Sequence, residues 1–488
     1  MFYNASDAKL YGYRTILEPL VNDLNMLADV GIDIRTTRYH GNIKVALGQV
    51  VGDNLGLNGV LGFTEGFTAN HFCRRCTIHR NEAKTCLSEN RLMMRNREQF
   101  VEDLALNNPQ ETGIKLDSPL NSISNFHVTS NAVPDIMHDL LEGICPLELK
   151  LVLKKLISDG HFSLTTVNSR ITSFNYGAPD SKNKPTVLTE HALIHPDGCT
   201  GQSAAQMWCL MRHISVILGD LIPEENRYWD LILVLLDCMD IIFSPLCSLQ
   251  DCIYLKHLIS DNHNLFLQLF PERHLKPKHH FMTHYPNAMK AVGPLKNFWT
   301  MRFEGNHNFS KRLSHITCNF QNMGKTLAFR HQLALCYKLL ANECEKKTDT
   351  EVGPGSSVLV MSLEASDLLS DELHIAMHDD VYVAKWCKAF GTEYRPNVMV
   401  VVAKTPVGDP VFGKVCHVVV TENVVVLVYE QWDTNGYKRH YHAYEIAPHQ
   451  PRSFGLCAVG NLIDFHPLHA VQPYNGFGHL ISLRYRIL

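Results

Sequence analysis

The sequence predicts a multidomain α+β protein, because its hydrophobic residues follow a helical period in one part and a strand period in another. Between residues 140 and 345 the apolar positions mostly recur at helical spacing, whereas short β-branched runs follow residue 358. A chain of 488 residues is long enough for several domains. Its hydrophobic content of 45% supplies a core, and its formal net charge of −4 excludes a general basic field. Any nucleic-acid site must therefore be a local basic patch.

Two features of the sequence argue for an intracellular protein without a membrane segment. No apolar run approaches the ~20 residues that span a bilayer, and the opening "MFYNASDAKLYGYRT" lacks the charged-then-apolar order of a secretory leader. The 15 cysteines are mostly scattered through apolar runs such as "MWCLM". This distribution is typical of reduced thiols in a protein core.

The first 125 residues alternate between regular and irregular patterns. Residues 13–31 have helical spacing and end at a glycine, and the β-branched run 44–51 predicts a buried strand that delivers Asp53 at its C-terminal end. The Gly- and Asn-rich run "NLGLNGVLGF" predicts a turn or a short distorted helix. A Cys/His cluster, "HFCRRCTIHR", comes next, and a polar stretch follows from about residue 87 to 125.

The remainder of the chain changes character at a polar stretch, residues 347–357. Before it, "SAAQMWCLMRHISVILGDLI" and "YWDLILVLLDCMDIIFSPL" are apolar nearly all round, as helices buried in a bundle are. The sequence Gly353-Pro354-Gly355 in that stretch predicts a domain boundary. After it, short β-rich runs separated by turns such as "DTNG" predict a separate antiparallel barrel or sandwich over residues 358–488.

Three acidic residues are candidates for metal chemistry. Asp53 follows the predicted strand, Asp135 belongs to the Asp-x-x-His sequence that ends at His138, and Glu304 lies in the predicted helix "MRFEGNHNFSKRL". Acids at strand ends, with another on a helix, can hold two Mg²⁺ ions for phosphoryl transfer. Each acid alone also suits a helix cap, a turn or a salt bridge. Convergence of the three on a common point is therefore the critical expectation.

Several blocks of the chain resemble the catalytic region of cut-and-paste DNA transposases of the CACTA and Kyakuja-Dileera-Zisupton type. They are "EPLVNDLNMLADVGIDI", "IKVALGQVVGDNLGLNGVLGFTEGFTANHFCRRC", "VPDIMHDLLEG" and "HLKPKHHFMTHYPNAMKAVGPLKNFWTMRFEGNHNFSK". The resemblance covers roughly residues 10–345. It implies an RNase H-like core, partial over 1–139, a helical insertion over 140–290 and returning helices over 291–346.

The resemblance also implies roles for the acidic residues. Asp53 occupies the place of the family's second catalytic Asp and Glu304 that of its Glu, while Asp135 and His138 match an accessory pair that shapes the site or contacts DNA. On the helix of Glu304, three polar residues at i+3, i+4 and i+7 are expected to meet phosphate, namely His307, Asn308 and Lys311. Mg²⁺ is expected only if this acidic site is functional.

The family's first catalytic Asp has no counterpart in the chain. It belongs on a strand before the helix at 13–31, and Asp7 lies in a polar stretch with no strand before it. We therefore expect a catalytically inactive, transposase-derived protein that serves as a nuclear DNA- or protein-binding factor. One alternative is an active nuclease or transposase whose missing Asp comes from elsewhere. Another is a zinc-organised protein-interaction module with no nucleic-acid role.

The Cys/His cluster predicts a zinc site. Cys73-x-x-Cys76 can place two thiolates on one ion, and His71, His79 and Cys86 are nearby candidates for the other two ligands. We expect His79 and Cys86 to complete the site, although in the transposases that the chain resembles a later His usually does so. A reduced cysteine pair in a loop is the alternative.

Basic residues and a second group of histidines surround these ligands in the sequence. The Cys/His cluster is locally basic, which predicts contact with DNA phosphates through Arg74, Arg75 and Arg80. The histidines of "HLKPKHHFMTHYP", which are His279, His280 and His284, do not match the His-Glu-x-x-His spacing of hydrolytic zinc enzymes. We expect them to serve in packing and hydrogen bonding.

Overall fold

A computed structural model describes residues 5–195, 200–318, 321–341, 350–421, 424–474, 476 and 478–487. Helices dominate before residue 341 and strands after residue 350, which confirms the α+β class. No helix in these ranges combines the length and the apolar character needed to cross a membrane. The α-helices are α1 (Ala5–Asp29), α2 (Asn54–Leu61), α3 (Arg80–Ala83), α4 (Arg97–Ala105), α5 (Pro109–Thr112), α6 (Cys145–Ser158), α7 (Leu164–Ser173), α8 (Gly177–Asp180), α9 (Glu190–Ile194), α10 (Ala204–Leu218), α11 (Arg227–Ile242), α12 (Leu249–Leu269), α13 (Pro277–Met282), α14 (Tyr285–Val292), α15 (Met301–Thr317), α16 (Met323–Leu340) and α17 (Ser366–Leu373).

The strands form antiparallel sheets. They are β1 (Ile32–Arg35), β2 (His40–Ile43), β3 (Glu351–Val352), β4 (Gly355–Leu359), β5 (Asp380–Ala384), β6 (Cys387–Ala389), β7 (Thr392–Tyr394), β8 (Met399–Lys404), β9 (Pro410–Val420), β10 (Val425–Lys438), β11 (Ala443–Pro448), β12 (Phe454–Ala458), β13 (Asp464–Leu468) and β14 (His479–Ile481). The large sheet runs β13-β8-β9-β10-β11-β14, with β12 on β10 and β5 joining β4 to β9. Strands β3, β6 and β7 form a second sheet, and β1 pairs with β2.

The chain divides into two compact units, each built from two separate stretches. The first unit comprises Met1–Ile144 and Ile241–Cys336, and the second comprises Cys145–Asp240 and Tyr337–Leu488. The second unit therefore combines the β-rich region with residues 145–240 of the expected insertion, which differs from the separate β domain expected over 358–488, and residues 241–290 of the insertion belong to the first unit. Hydrogen bonds within the unit explain the grouping, because Trp229 of α11 donates to the His440 carbonyl at 3.1 Å and Ser215 of α10 to that of Tyr441 at 2.7 Å.

The expected boundary stretch at 347–357 is also partly β structure. Its first three residues lie outside the described ranges, but β3 and β4 form within the rest of it. The predicted "DTNG" turn is wrong, because these residues lie inside β10, where the pairing with β11 shifts between Thr434 and Gly436. A β-bulge accommodates the glycine there without ending the strand.

In the first unit, α1 confirms the helix predicted over 13–31. Leu17 and Val21 of α1 pack with Leu57 and Leu61 of α2 in one buried cluster. The Gly/Asn-rich run forms a regular helix of eight residues, because Asp53 caps its first turn and Gly62 ends it in a left-handed conformation. The sequence therefore understated the order of this segment.

The buried strand predicted over 44–51 is wrong. Strand β2 ends at Ile43, Val45 remains 42% exposed, and Val50 alone in this run forms a bridge, parallel to Ala132. A buried strand needs neighbours on both edges and both faces, and this run has one such bridge within the described residues. Asp53 and Asp135 nevertheless occupy equivalent positions, because Asp53 lies three residues after Val50 and Asp135 lies three residues after Ala132.

Candidate functional site

A buried group of two cysteines and two histidines forms the strongest candidate site. The Sγ atom of Cys73 lies 3.5 Å from Nε2 of His284, and that of Cys76 lies 3.2 Å from Nε2 of His280. The two Nε2 atoms are 3.2 Å apart, and all four ligand atoms lie within 4.8 Å of one another. Tetrahedral zinc with ligands at ~2.0–2.3 Å requires ligand separations of roughly 3.3–3.8 Å. The group can therefore hold a metal ion, and its donor set is compatible with zinc.

Local structure holds each half of this group. The Cys73–Cys76 turn is fixed by the amide of Arg75, which donates to Sγ of Cys73 at 3.4 Å, and by a bridge between Cys76 and Met94. His280 lies in α13, and His284 lies four residues later, at the beginning of α14. One helical turn separates residues four apart, so both imidazoles face the thiols.

Charges around the thiols favour a bound cation. Burial alone raises the pKa of the Cys73 thiol, but the hydrogen bond from Cys76 and the charge of His284 bring that pKa well below its usual range. For Cys76 the same hydrogen bond and burial raise the pKa. Without a bound metal ion, the site therefore stabilises one thiolate, that of Cys73. A divalent cation supplies the charge that lets both thiols ionise.

A second layer of hydrogen bonds orients one of the imidazoles. Nδ1 of His284 lies 2.5 Å from Oε2 of Glu89, whose other oxygen accepts from Asn287. The Glu89 side chain is 5% exposed, so this bond is shielded from water. A carboxylate on the outer nitrogen fixes the tautomer that leaves Nε2 free for a metal.

The expected ligands His79 and Cys86 are corrected. His79 caps α3, with its Nδ1 accepting from the amide of Asn81, and its ring packs on that of His71. The Cys86 thiol donates to the Ser88 carbonyl at 3.2 Å. His79 is therefore engaged in a local turn, whereas Cys86 also contacts His280 but is not one of the four residues whose ligand atoms lie within 4.8 Å of one another.

The packing and hydrogen-bonding role expected for the three later histidines is confirmed, but it is not their whole arrangement. His279 is buried against the rings of His263 and Phe266, at 5.4 Å and 5.2 Å between centroids. His280 and His284 are also buried and hydrogen-bonded, and both belong in addition to the group that could hold a metal ion. The i, i+4 spacing of these two residues was the signal that could have identified them, since it matches one half of a Cys₂His₂ site.

The three arginines expected to bind phosphate differ in exposure. Arg74 is 3% exposed and donates to Asn54 at 2.8 Å, so the expectation that it contacts DNA is wrong. Arg75 is half-buried and donates to the Ala132 carbonyl at 2.9 Å. Arg80 is exposed and remains a candidate. The buried Arg74 side chain therefore donates hydrogen bonds to polar groups inside the unit and not to a ligand.

Two of the three acidic candidates meet around one histidine. Nδ1 of His138 hydrogen-bonds Asp135, and its Nε2 lies 3.2 Å from Oε1 of Glu304. The carboxylate of Asp135 is 1% exposed and also accepts from Thr300, through the amide at 3.1 Å and the hydroxyl at 2.7 Å. The hydrogen bond to Asp135 raises the pKa of His138, which burial by itself would lower.

The third acidic candidate, Asp53, makes its hydrogen bond elsewhere. Its Oδ1 accepts from the amide of Gly56 at 2.5 Å, the role of a helix cap. Within the described ranges, no hydrogen bond or ion pair joins Asp53 to Asp135 or Glu304, and the three do not form a metal-ligand group of the kind found at the cysteines. His138 thus links Asp135 with Glu304, and Asp53 takes no part in that hydrogen-bonded link.

A fourth acid that the sequence did not single out holds this region together. Asp139 is fully buried, and its oxygens accept from Asn54 at 2.7 Å and from the Tyr285 hydroxyl at 3.0 Å. Burial raises its pKa to about 6. It follows His138 in a π-helical segment, Met137–Ile144. Asp139 therefore links this segment to α2 and α14.

The helix of Glu304 presents a basic surface. In α15 the residues expected to meet phosphate, His307, Asn308 and Lys311, are all exposed, and Arg302 and Arg312 add further cations. Glu304 is the one acidic residue in this helix, and residues 241–336 contain eleven Lys and Arg against four Asp and Glu. A chain of net charge −4 thus carries a concentrated positive segment.

Gly305 weakens this helix without a steric reason. A Cβ atom at Gly305 would meet nothing within 4 Å, and the residue has ordinary helical backbone. We expect Gly305→Ala to stabilise α15 by up to about 1 kcal/mol, because alanine loses less backbone entropy in a helix. Thermal unfolding followed by far-ultraviolet circular dichroism measures this. A lower melting temperature in the variant would contradict this expectation.

A second cluster, in the other compact unit, has ligand-type residues but the wrong charge for a metal. Asp180, Cys209 and His213 are buried within 4.8 Å of one another. Asp180 also lies 2.6 Å from Arg212 and 3.3 Å from Arg484. Two guanidinium groups at the carboxylate repel a cation, so this cluster is a buried ion-pair network.

No protein-family model matches the chain, and no curated protein matches it significantly. The functional conclusions therefore rest on the residues, on their geometry and on the resemblance of short sequence blocks.

Proposed function

We propose that this protein is a transposase-derived, zinc-organised DNA-binding protein that does not itself transfer DNA strands. The observation that carries the proposal is the exposure of the three cations of α15, Arg302, Lys311 and Arg312, in the same helix as Glu304. The parallel bridge between Val50 and Ala132, with an acid three residues after each, supports a remnant of an RNase H-like sheet. Zinc at Cys73, Cys76, His280 and His284 would hold the Cys73 turn on α13 and α14.

The engagement of the acidic residues supports a lack of strand transfer. In-line transfer by two ions needs carboxylate oxygens that are free to bind Mg²⁺ at about 2.0–2.1 Å. Both oxygens of Asp135 accept hydrogen bonds, and one oxygen of Asp53 caps α2. Glu304, with its side chain 45% exposed, faces His138, and the exposed Asp53 has its second oxygen left beside the cap. With both oxygens of Asp135 engaged, these two carboxylates are expected to bind Mg²⁺ only weakly.

DNA binding is tested by charge reversal on α15. We expect Lys311→Glu with Arg312→Glu to weaken binding of duplex DNA about tenfold or more, and to lower the salt slope by roughly one per lost phosphate contact. The matched control reverses two exposed lysines of the other compact unit, Lys154 and Lys182. An equal loss of DNA affinity in both variants would show that net charge alone explains the effect, which would contradict the proposal. Unchanged DNA binding in the α15 variant would contradict it as well.

Activity is tested by cleavage of supercoiled and linear DNA in Mg²⁺ or Mn²⁺, beside Glu304→Gln. We expect no cleavage by either protein and DNA binding by both, because phosphate contacts depend on cations rather than on the acid. Cleavage by the native chain that disappears in Glu304→Gln would instead establish an active enzyme. Absence of DNA binding altogether would leave the protein-interaction alternative, for which the exposed Phe303 and Phe309 of α15 offer a surface.

A further inference from the structure

A basic cleft lies beside the metal-ligand group. It has a volume of about 580 Å³, within the ~300–1,000 Å³ range of small-molecule pockets. One wall comes from α3 and its flanking residues, and the other from residues 272–277. The Leu275 amide donates to the Lys84 carbonyl at 3.0 Å, so the two walls are joined.

Four cations line this cleft. They are Arg80, Lys84, Arg273 and Lys276. Within the described part of the chain, Glu272 is the one carboxylate that lies within 4.0 Å of any of them, at 3.8 Å from Nε of Arg273. That nitrogen is buried and makes no hydrogen bond in the same part of the chain. The cations therefore exceed the anions available to them, which is the condition for binding a negatively charged ligand.

The floor of the cleft is aromatic. Phe72 is 2% exposed and Phe67 is half-buried, and both pack on Phe281 with centroid distances of 5.6 Å and 6.3 Å. Phe72 also meets the ring of His280 edge-on at 5.6 Å, so the floor rests on a residue of the metal-ligand group. An aromatic surface under a ring of cations is the combination that binds a nucleobase together with its phosphate.

We infer that this cleft binds a nucleotide unit of single-stranded nucleic acid, with its phosphates among Arg80, Lys84 and Lys276 and its base against Phe67. Exposure of the Arg80, Lys84 and Lys276 side chains leaves the cleft open, so that a strand can pass through it. The inference deepens the proposed nucleic-acid function, since it assigns single strands to the cleft and leaves duplex contacts to α15. A free nucleotide offers the same chemistry, and the experiment separates the two sources.

The test measures binding of the full chain to a fluorescent oligothymidylate of twelve residues, to adenosine monophosphate and to inorganic pyrophosphate. We expect Lys84→Glu with Lys276→Glu to weaken oligonucleotide binding at least about tenfold and to lower the salt slope by ~0.7 per lost contact. Arg35→Glu with Arg38→Glu makes the same charge change on the exposed β1–β2 hairpin and should leave binding unchanged. Phe67→Leu should weaken oligonucleotide binding about fivefold and pyrophosphate binding not at all, because only the base stacks.

The possible outcomes distinguish failure of the inference about the cleft from failure of the proposed function. Normal oligonucleotide binding by the cleft variant, with duplex binding still dependent on Lys311 and Arg312, overturns the inference and leaves the proposed function standing. Binding of adenosine monophosphate but of no nucleic acid overturns the strand assignment and the proposed function together. Equal losses in the cleft and hairpin variants also overturn the inference, because they show an effect of net charge alone.

Discussion

Replacing Cys76 by serine is expected to abolish metal binding and to destabilise the first compact unit by at least about 4 kcal/mol. Structural zinc contributes on the order of 10 kcal/mol to the folding free energy of small domains. The expected loss is smaller here, because packing elsewhere in a larger unit also stabilises the fold. Removal of one ligand also leaves Cys73, His280 and His284 buried without their ion. For a unit of this size the melting temperature should fall by roughly 8–16 °C. Metal analysis of the purified protein and thermal unfolding provide the two measurements.

Two controls decide which residues are the ligands. Cys86→Ser and His79→Ala remove side chains that lie close in sequence but form local hydrogen bonds, so metal content should remain at one ion per chain. His284→Ala should lose the ion as Cys76→Ser does. Retention of zinc in His284→Ala, with its loss in His79→Ala, would restore the ligands expected from the sequence and contradict the structure.

Replacing Asp180 by alanine is expected to destabilise the second compact unit by about 3–5 kcal/mol. The carboxylate is 5% exposed and lies within 3.4 Å of Arg212, His213 and Arg484. Without it two guanidinium groups remain buried and unpaired, which is the costly case for an internal ion pair. Asp159→Ala is the matched control, because its exposed pair with Lys155 contributes less than about 1 kcal/mol. Chemical denaturation followed by tryptophan fluorescence measures both.

The Asp180 carboxylate also makes the free energy of unfolding depend on pH in a defined direction. Burial by itself raises the pKa of Asp180, but the charge of Arg212 and the hydrogen bond from His213 hold that pKa far below its unfolded value. The stabilisation is therefore complete above the unfolded pKa of about 3.9, and it is lost as the pH falls through the folded pKa. The native protein should lose stability below about pH 4 more steeply than Asp180→Ala. Parallel pH profiles for the two proteins would contradict this assignment.

The sequence by itself determined the features that depend on local pattern. Periodicity predicted α1, the buried helices α10 and α11 and the β-rich C-terminal region, because a residue's face follows directly from its spacing. The Cys73–Cys76 spacing likewise identified half of a metal site, since two thiols in one turn converge wherever the turn lies.

Tertiary structure alone decided which distant residues meet. His280 and His284 lie more than two hundred residues after the cysteines, and only folding brings them within 3.5 Å. Arg74 and Arg75 are adjacent in sequence, yet one is buried among amides and the other half-buried, because burial depends on what packs against each side chain. The predicted strand at 44–51 failed for the same reason, since a β-strand is completed by partners that its own sequence does not specify.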